Sequence, residues 1–283
     1  MIVNIDDDFD LYKIVYSGQC FRPVLEGEYY RFITGEHLLY AKELPCTDDS
    51  KVTRLEVSCT EVEWEKVWRN YFDLDTSYRN IRDSIPEDDT FLKESASVGA
   101  GIRILSQDPF EMLISFIISQ RKSIPAIKSS VEKLSSLYGN KLLAKNMDGS
   151  KCENVYSFPT PEALSCASVD DLKACGLGYR VEYVLNAAKK VASNELDLEG
   201  LKTLSDQELF EELKKLYGVG DKVANCISLF GYHRVDRAPI DTWIKKIIDS
   251  KYDGVSPFER YLSNAGIMQQ YMFYAVQHLH FEL

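Results

Sequence analysis

Apolar and polar positions alternate in short runs through the first third of the chain and switch to helical spacing beyond it. Tyr29 to Ile33, a Thr34-Gly35-Glu36 turn and Leu38 to Ala41 predict an antiparallel hairpin, because two period-two runs around a glycine-bearing turn are its signature. Phe21 to Leu25 with the Glu26-Gly27-Glu28 turn predicts a strand before it, and Val52 to Ser58 one after it. From Thr60 onward Val62, Trp64, Val67, Trp68 and Tyr71 follow helical spacing. A polar stretch, residues 84–90, precedes a second body with no strand pattern after residue 105. That body opens at Ser106-Gln-Asp-Pro-Phe-Glu111, where Asp108 suits an N-cap, Pro109 the first helical position and Glu111 the third, as in a capping box. The run through Met112, Leu113, Phe116, Ile117 and Ile118 is too continuous for a surface helix and predicts a core one. Further helices are predicted at about 124–138, 161–174, 180–194, 205–216, 221–231, 241–250 and 264–280. The expected fold class is α+β: a small antiparallel-sheet N-terminal domain (1–100, with added helices) and then an all-helical bundle (101–283).

Composition narrows the class without naming a function. Hydrophobic residues at 45% and charged residues at 27% exclude a disordered, collagen-like or wholly coiled-coil chain. No apolar run reaches the roughly 18 residues that span a bilayer, so no membrane partner is expected. The opening MIVNIDDDFD is acidic where a signal peptide needs a basic start, which predicts a soluble cytoplasmic protein, nucleoid-associated if the source is prokaryotic. Seven scattered cysteines, odd in number and without paired short spacings, argue against a disulfide framework or a zinc site. The net charge of −11 is unevenly spread: residues 1–100 carry 11 Lys+Arg against 21 Asp+Glu, the remainder 22 against 23. An acidic protein is a poor nonspecific nucleic-acid binder. Here the later two thirds are nearly neutral, so local phosphate contacts through lysines and backbone amides stay open.

The segment Leu213-Lys-Lys-Leu-Tyr-Gly-Val-Gly-Asp-Lys-Val-Ala-Asn-Cys226 carries the first chemical signal. A helix ends near Leu216, Gly218-Val219-Gly220 turns tightly, and another helix starts near Asp221. Glycines let the backbone turn sharply and approach another chain, and the amides opening the second helix can hold a phosphate oxygen. An ordinary corner between two helices explains a lone Gly-Val-Gly equally well. Apolar Leu213, Leu216, Val219, Val223, Ala224 and Ile227 around it favour a packed helix–hairpin–helix. Lys222 falls in the first turn of the second helix. A lysine there is commonly solvated, but a helix start with partial burial also favours the neutral amine that a Schiff-base nucleophile requires. Asp241, in Ala238-Pro-Ile-Asp-Thr-Trp-Ile-Lys245, reads first as the N-cap of helix 241–250. Capping amides favour its ionised form, and an anion there can stabilise an oxocarbenium ion or accept a proton.

These elements together resemble the helix–hairpin–helix superfamily of base-excision DNA glycosylases, in its 8-oxoguanine branch. Five stretches carry the resemblance in order: Ser17-Gly-Gln-Cys-Phe-Arg22, Ile102 to Glu111, Gly176-Leu-Gly-Tyr-Arg180, Leu216 to Cys226 and Gln269-Gln-Tyr-Met-Phe273. The resemblance implies Lys222 as nucleophile and Asp241 as its electrostatic and acid/base partner. It implies that the Gly18 carbonyl accepts from the extra imidazole-edge N–H of 8-oxoguanine, that Phe273 stacks on the extruded base, that Gln269 reads its Watson–Crick edge and that Cys226 lies on the opposite face. Gln120, Arg121, Tyr179, Arg180, Gly218, Gly220 and Trp243 would contact DNA. The backbone carbonyls of Lys214, Leu216 and Val219 would hold a structural cation. No cofactor is implied for catalysis, and with no cysteine after Cys226 no iron–sulfur cluster. The implied partner is double-stranded DNA containing oxidised guanine, bound by a monomer.

Three positions depart from the family pattern. Arg121 stands where vertebrate-type members have an asparagine that fills the gap left by the flipped base, Ala126 where they have an arginine that reads the orphaned cytosine, and Trp243 where a histidine is usual. Tyr179 and Arg180 are kept, which leaves Arg180 as the expected reader of the opposite strand. The resulting expectation is a bifunctional glycosylase and abasic-site lyase that excises 8-oxoguanine through a lysine Schiff base. The rivals are an alkylated-base glycosylase of the same fold and a non-enzymatic helix–hairpin–helix DNA-binding module with Lys222 as a phosphate contact.

Overall fold

The computed structural model describes residues 1–45, 52–145, 147, 151–152 and 154–278. Five strands, β1 (Ile2–Ile5), β2 (Val24–Glu26), β3 (Tyr29–Thr34), β4 (His37–Glu43) and β5 (Thr53–Val57), form one sheet in the order β1-β5-β4-β3-β2. The predicted hairpin is β3–β4. Its turn, and the one joining β2 to β3, are made by Gly35 and Gly27 at φ +55 and +61, a region a side chain disfavours. Sequence reading missed β1, which pairs antiparallel with β5 in the register Val3 to Leu55.

The chain folds as two compact units, and β4 runs through both. One comprises Met1–Cys20, Ala41–Ser106 and His233–Leu283; the other comprises Phe21–Tyr40 and Gln107–Tyr232. In the first, Arg103 is fully buried and satisfied from several directions. Nε donates to the Phe72 carbonyl at 2.9 Å, Nη1 to the Asp8 carbonyl and to Asp7 Oδ2, and Nη2 to the carbonyls of Asp73 and Thr76. Burial raises the Asp7 carboxyl, but amide donors from Asp8, Arg79 and Tyr78 and the Arg103 guanidinium outweigh it and hold its pKa low. The helix Ala265–His278 packs on the helix Thr90–Gly99 so closely that a Cβ on Gly99 would meet the Tyr271 ring at 2.7 Å.

In the second unit the predicted core helix is Pro109–Ser119, buried at every residue from Phe110 to Ile118, and it packs on the helix Asp221–Gly231. Asp108 caps it by accepting from the Glu111 amide at 2.8 Å. The Glu111 carboxyl is buried, and burial pushes its pKa up to about 8 against the opposing pull of Arg22. Three expectations are corrected. The helix predicted at 161–174 is two, Pro161–Ser165 and Val169–Ala174, because Ser168 caps a fresh start. The helical stretch after Thr60 contains a π-turn, Trp64–Trp68, and its Val62 is 63% exposed. Strand structure does occur after residue 105, as the two-residue pair Ala144–Lys145 with Lys151–Cys152.

Candidate active site

Within the second unit, the hairpin is built as the glycine spacing requires. The helix Asp206–Lys214 ends, the Val219 amide closes on the Leu216 carbonyl at 3.1 Å, and Gly220 caps the helix Asp221–Gly231 in extended conformation. Gly218 is at φ +86, and a Cβ there would lie 2.4 Å from ring atoms of Tyr183. Both the turn and the close approach therefore require glycine. Leu216 and Val219 are buried, and Lys214 pairs with Asp221 at 2.8 Å, which raises the lysine's pKa.

Lys222 is half-buried in the first turn of that helix, with Nζ 5.4 Å from the centroid of the Phe116 ring. Its ammonium makes no hydrogen bond or ion pair with a described residue, unlike the bridged Lys214. Phe116 is itself held by stacking on Phe230 and by the edge of Phe21. Cys226 is buried on the same helix.

Near the hairpin, Gln120 Nε2 donates to the carbonyls of Gly218 at 3.0 Å and Ile117 at 3.1 Å. Arg180 is only 7% exposed and donates to the carbonyls of Gln120 and Leu177, with its plane 4.4 Å from the centroid of Tyr179. Tyr179, 53% exposed, meets Tyr183 edge-on, and Tyr183 meets Tyr217 in turn. Arg121 is exposed, at φ +51. Its neighbour Lys122, not singled out from sequence, donates to the Gly176 carbonyl at 2.9 Å and to Ser130 Oγ. Burial and then Arg180 and Lys133 lower the Lys122 pKa.

The first unit holds the other predicted residues. Asp241 caps the helix Thr242–Lys251 with one oxygen, Oδ1 accepting from the amides of Trp243 at 3.0 Å and Ile244 at 2.9 Å. Oδ2 takes no hydrogen bond from a described residue. Trp243 is 43% exposed, with Lys246 Nζ 5.1 Å from its ring centroid. Gly18 is at φ +81, next to a fully buried Gln19 whose amide bonds Ser17 Oγ, the Arg103 carbonyl and the Leu105 amide. The Gly18 carbonyl accepts no hydrogen bond from a described residue. On the C-terminal helix every residue from Ala265 to Val276 is buried except Phe273. Phe273 is partly buried. Gln269 is buried, its Oε1 accepting from Gln270 at 3.1 Å.

The structure thus joins Gln120, Gly218, Tyr179 and Arg180 in one network, sets Lys222 on Phe116, and places Asp241 with Trp243 on one helix start and Gln269 with Phe273 on one helix. The links through Gln120, Lys122 and Tyr183 span long stretches of chain and leave no local pattern to read. Among the described residues no group of three or more His, Cys, Asp or Glu could hold a metal ion.

The chain therefore combines an N-terminal antiparallel sheet with a helix–hairpin–helix that carries a lysine in the first turn of its second helix. Residues 1–113 match the family described as 8-oxoguanine DNA glycosylase, N-terminal domain, and residues 114–255 match the HhH-GPD superfamily base excision DNA repair protein. The chain belongs to the 8-oxoguanine glycosylase branch of that superfamily. It is 34% identical to the N-glycosylase/DNA lyase of Saccharomyces cerevisiae over 64% of this chain and 50% of that protein, so it spans about half the length of that relative. It is 28% identical to the probable N-glycosylase/DNA lyase of Methanothermobacter thermautotrophicus over 87% of this chain and 84% of that one. Among solved structures it is similar to the Clostridium acetobutylicum 8-oxoguanine glycosylase/lyase in complex with double-stranded DNA containing cytosine opposite 8-oxoguanine. The TM-score is 0.86 at 35% identity, covering 99% of each chain.

Proposed function

We propose that this chain is a bifunctional DNA glycosylase and abasic-site lyase that removes 8-oxoguanine from duplex DNA. The observation that carries the reading is Lys222: an amine without an ion pair, in the first helical turn after a Gly218–Gly220 hairpin, resting on an aromatic ring. The Phe116 ring fixes where the amine sits at the helix start. Its likeness to lyases at 35% identity supports the reaction class.

In this reading Lys222 Nζ bonds to the anomeric carbon as the N-glycosidic bond breaks, and the base leaves with the bonding pair. The unengaged Asp241 Oδ2 stabilises the cationic sugar and accepts the proton from the amine. Opening of the sugar gives a Schiff base, which acidifies the C2′ proton; its loss expels the 3′ phosphate, and hydrolysis frees the lysine. The base must leave the stack to be reached. By the roles that the family resemblance implies, the partly buried Phe273 stacks on the base, the Gly18 carbonyl accepts the lesion's imidazole N–H, Gln269 meets the Watson–Crick edge and Cys226 takes the other face of the base. Gly218, Gly220 and the amides that follow take a phosphate, while Gln120, Arg121, Tyr179, Arg180 and Trp243 belong to the DNA-facing surface. Three neutral carbonyls, of Lys214, Leu216 and Val219, suit a hard cation held structurally; the Leu216 oxygen already accepts from Val219 and would contribute a second lone pair.

Duplexes carrying 8-oxoguanine or an alkylated purine test the substrate class. Release of 8-oxoguanine with strand scission is expected; release of only the alkylated base, without scission, would overturn it. Phe273→Ala should cut 8-oxoguanine excision by about 5- to 150-fold, the range for one lost base–aromatic stack. It should spare scission at a preformed abasic site, where no base remains to be stacked.

A further inference from the structure

The turn at residues 119–123 is held in a shape its sequence does not favour. Arg121 lies at φ +51, a left-handed conformation uncommon for a non-glycine residue and maintained only where the surroundings over-determine it. They do so here. The Arg180 guanidinium, 7% exposed, sends Nε at 2.9 Å and Nη2 to the carbonyl of Gln120, the residue just before the strained one, and Nη1 at 3.2 Å to the Leu177 carbonyl. Gln120 in turn ties the turn to the hairpin through the Gly218 carbonyl at 3.0 Å. On the other side, the Lys122 amide closes on the Ser119 carbonyl at 3.2 Å and its Nζ holds the Gly176 carbonyl at 2.9 Å.

Every arginine nitrogen used this way is withdrawn from reading DNA. For Arg180 to reach an unpaired base it would have to leave a buried site and strip the Gln120 carbonyl of both its charged donors, which is costly. Arg121 is in the opposite state: exposed, and with no hydrogen bond or ion pair to a described residue. A guanidinium offers parallel donors, which match the adjacent N3 and O2 acceptors of an unpaired cytosine; adenine sets a donor beside its N1 acceptor.

We propose that Arg180 and Gln120 are positioning residues that clamp the 119–123 turn to the hairpin, and that Arg121, presented by this clamp, is the group that reads the base opposite the lesion. This rests on the glycosylase reading above and reassigns the role that the family resemblance implies for Arg180.

A double-mutant cycle on single-turnover excision, with cytosine or adenine opposite 8-oxoguanine, tests it. Wild type should prefer cytosine by about 5- to 150-fold, the range for one good guanidinium contact. Arg121→Ala should bring the ratio near unity. Arg180→Lys, which keeps the charge but loses the fork, should lower the ratio severalfold in the wild-type background and leave it unchanged in the Arg121→Ala background. If Arg180→Lys does not fold, as read by its thermal melt, Gln120→Met takes its place with the same expectation. An equal loss in both backgrounds would show that Arg180 touches the base itself. A drop in both rates with the ratio intact would show a merely structural role. A wild-type ratio of unity, or an unaltered ratio in Arg121→Ala, would also overturn the proposal. Excision from no duplex by wild type would instead remove the glycosylase reading on which it rests.

Discussion

Asp241 has two oxygens in different states. Oδ1 caps a helix, and Oδ2, which takes no hydrogen bond from a described residue, is the one the proposed reaction uses. The two roles separate by substitution, because asparagine caps as well as aspartate but carries no charge. Asp241→Asn should melt within a few tenths of a kcal/mol of wild type, whereas Asp241→Ala should lose about 0.5–2 kcal/mol. Both should lose most of the excision rate. Thermal melts with single-turnover kinetics check this, and full activity in the asparagine variant would reduce Asp241 to a cap. At this scale the sequence was legible wherever a residue's role follows from near neighbours: Asp241 before its helix, Gly218 in its turn. It was opaque for Arg180, whose partner Gln120 lies 60 positions away, so that burial and engagement were invisible.

Among elements, the helices with local start signals were read almost to the residue, as at Ile124–Tyr138 and Asp221–Gly231. The strand Ile2–Ile5 and the helix Leu11–Tyr16 are too short to show a period, and they are fixed by distant partners, Thr53–Val57 and Gly101. Glu111 shows how an element carries a hidden charge. It matches a capping-box position, yet its carboxyl is buried rather than turned back to the cap. With its pKa raised from 4.5 to about 8, the folded chain holds a proton that the unfolded chain releases. Stability from this group is therefore highest below about pH 4.5 and falls as pH rises toward about 8. Glu111→Gln should make the fall of Tm with pH across that window shallower than in wild type. Parallel Tm profiles for the two proteins would contradict a buried proton on Glu111.

For the whole molecule, the chain order conceals which residues fold together. Residues 233–283 fold with the N-terminal segment, so Gly18, Asp241 and Phe273 belong to one unit and Lys222 to the other. The crossing after Tyr232 falls in the loop between the helices Asp221–Gly231 and Thr242–Lys251, and a loop between two helices looks the same in sequence whether they share a unit or not. Charge is also organised at this scale: acidic residues dominate 1–100, while the helix–hairpin–helix lies in the nearly neutral remainder. Among the described residues no helix is long and apolar enough to cross a membrane. The claim that ties these observations together is that Lys222 is the nucleophile. Borohydride reduction during turnover on a duplex containing 8-oxoguanine should trap a covalent protein–DNA adduct with wild type. Lys222→Gln should give neither adduct nor base release while still binding lesion DNA within a few-fold of wild type. An adduct formed by Lys222→Gln would assign the nucleophile to another amine and contradict the account.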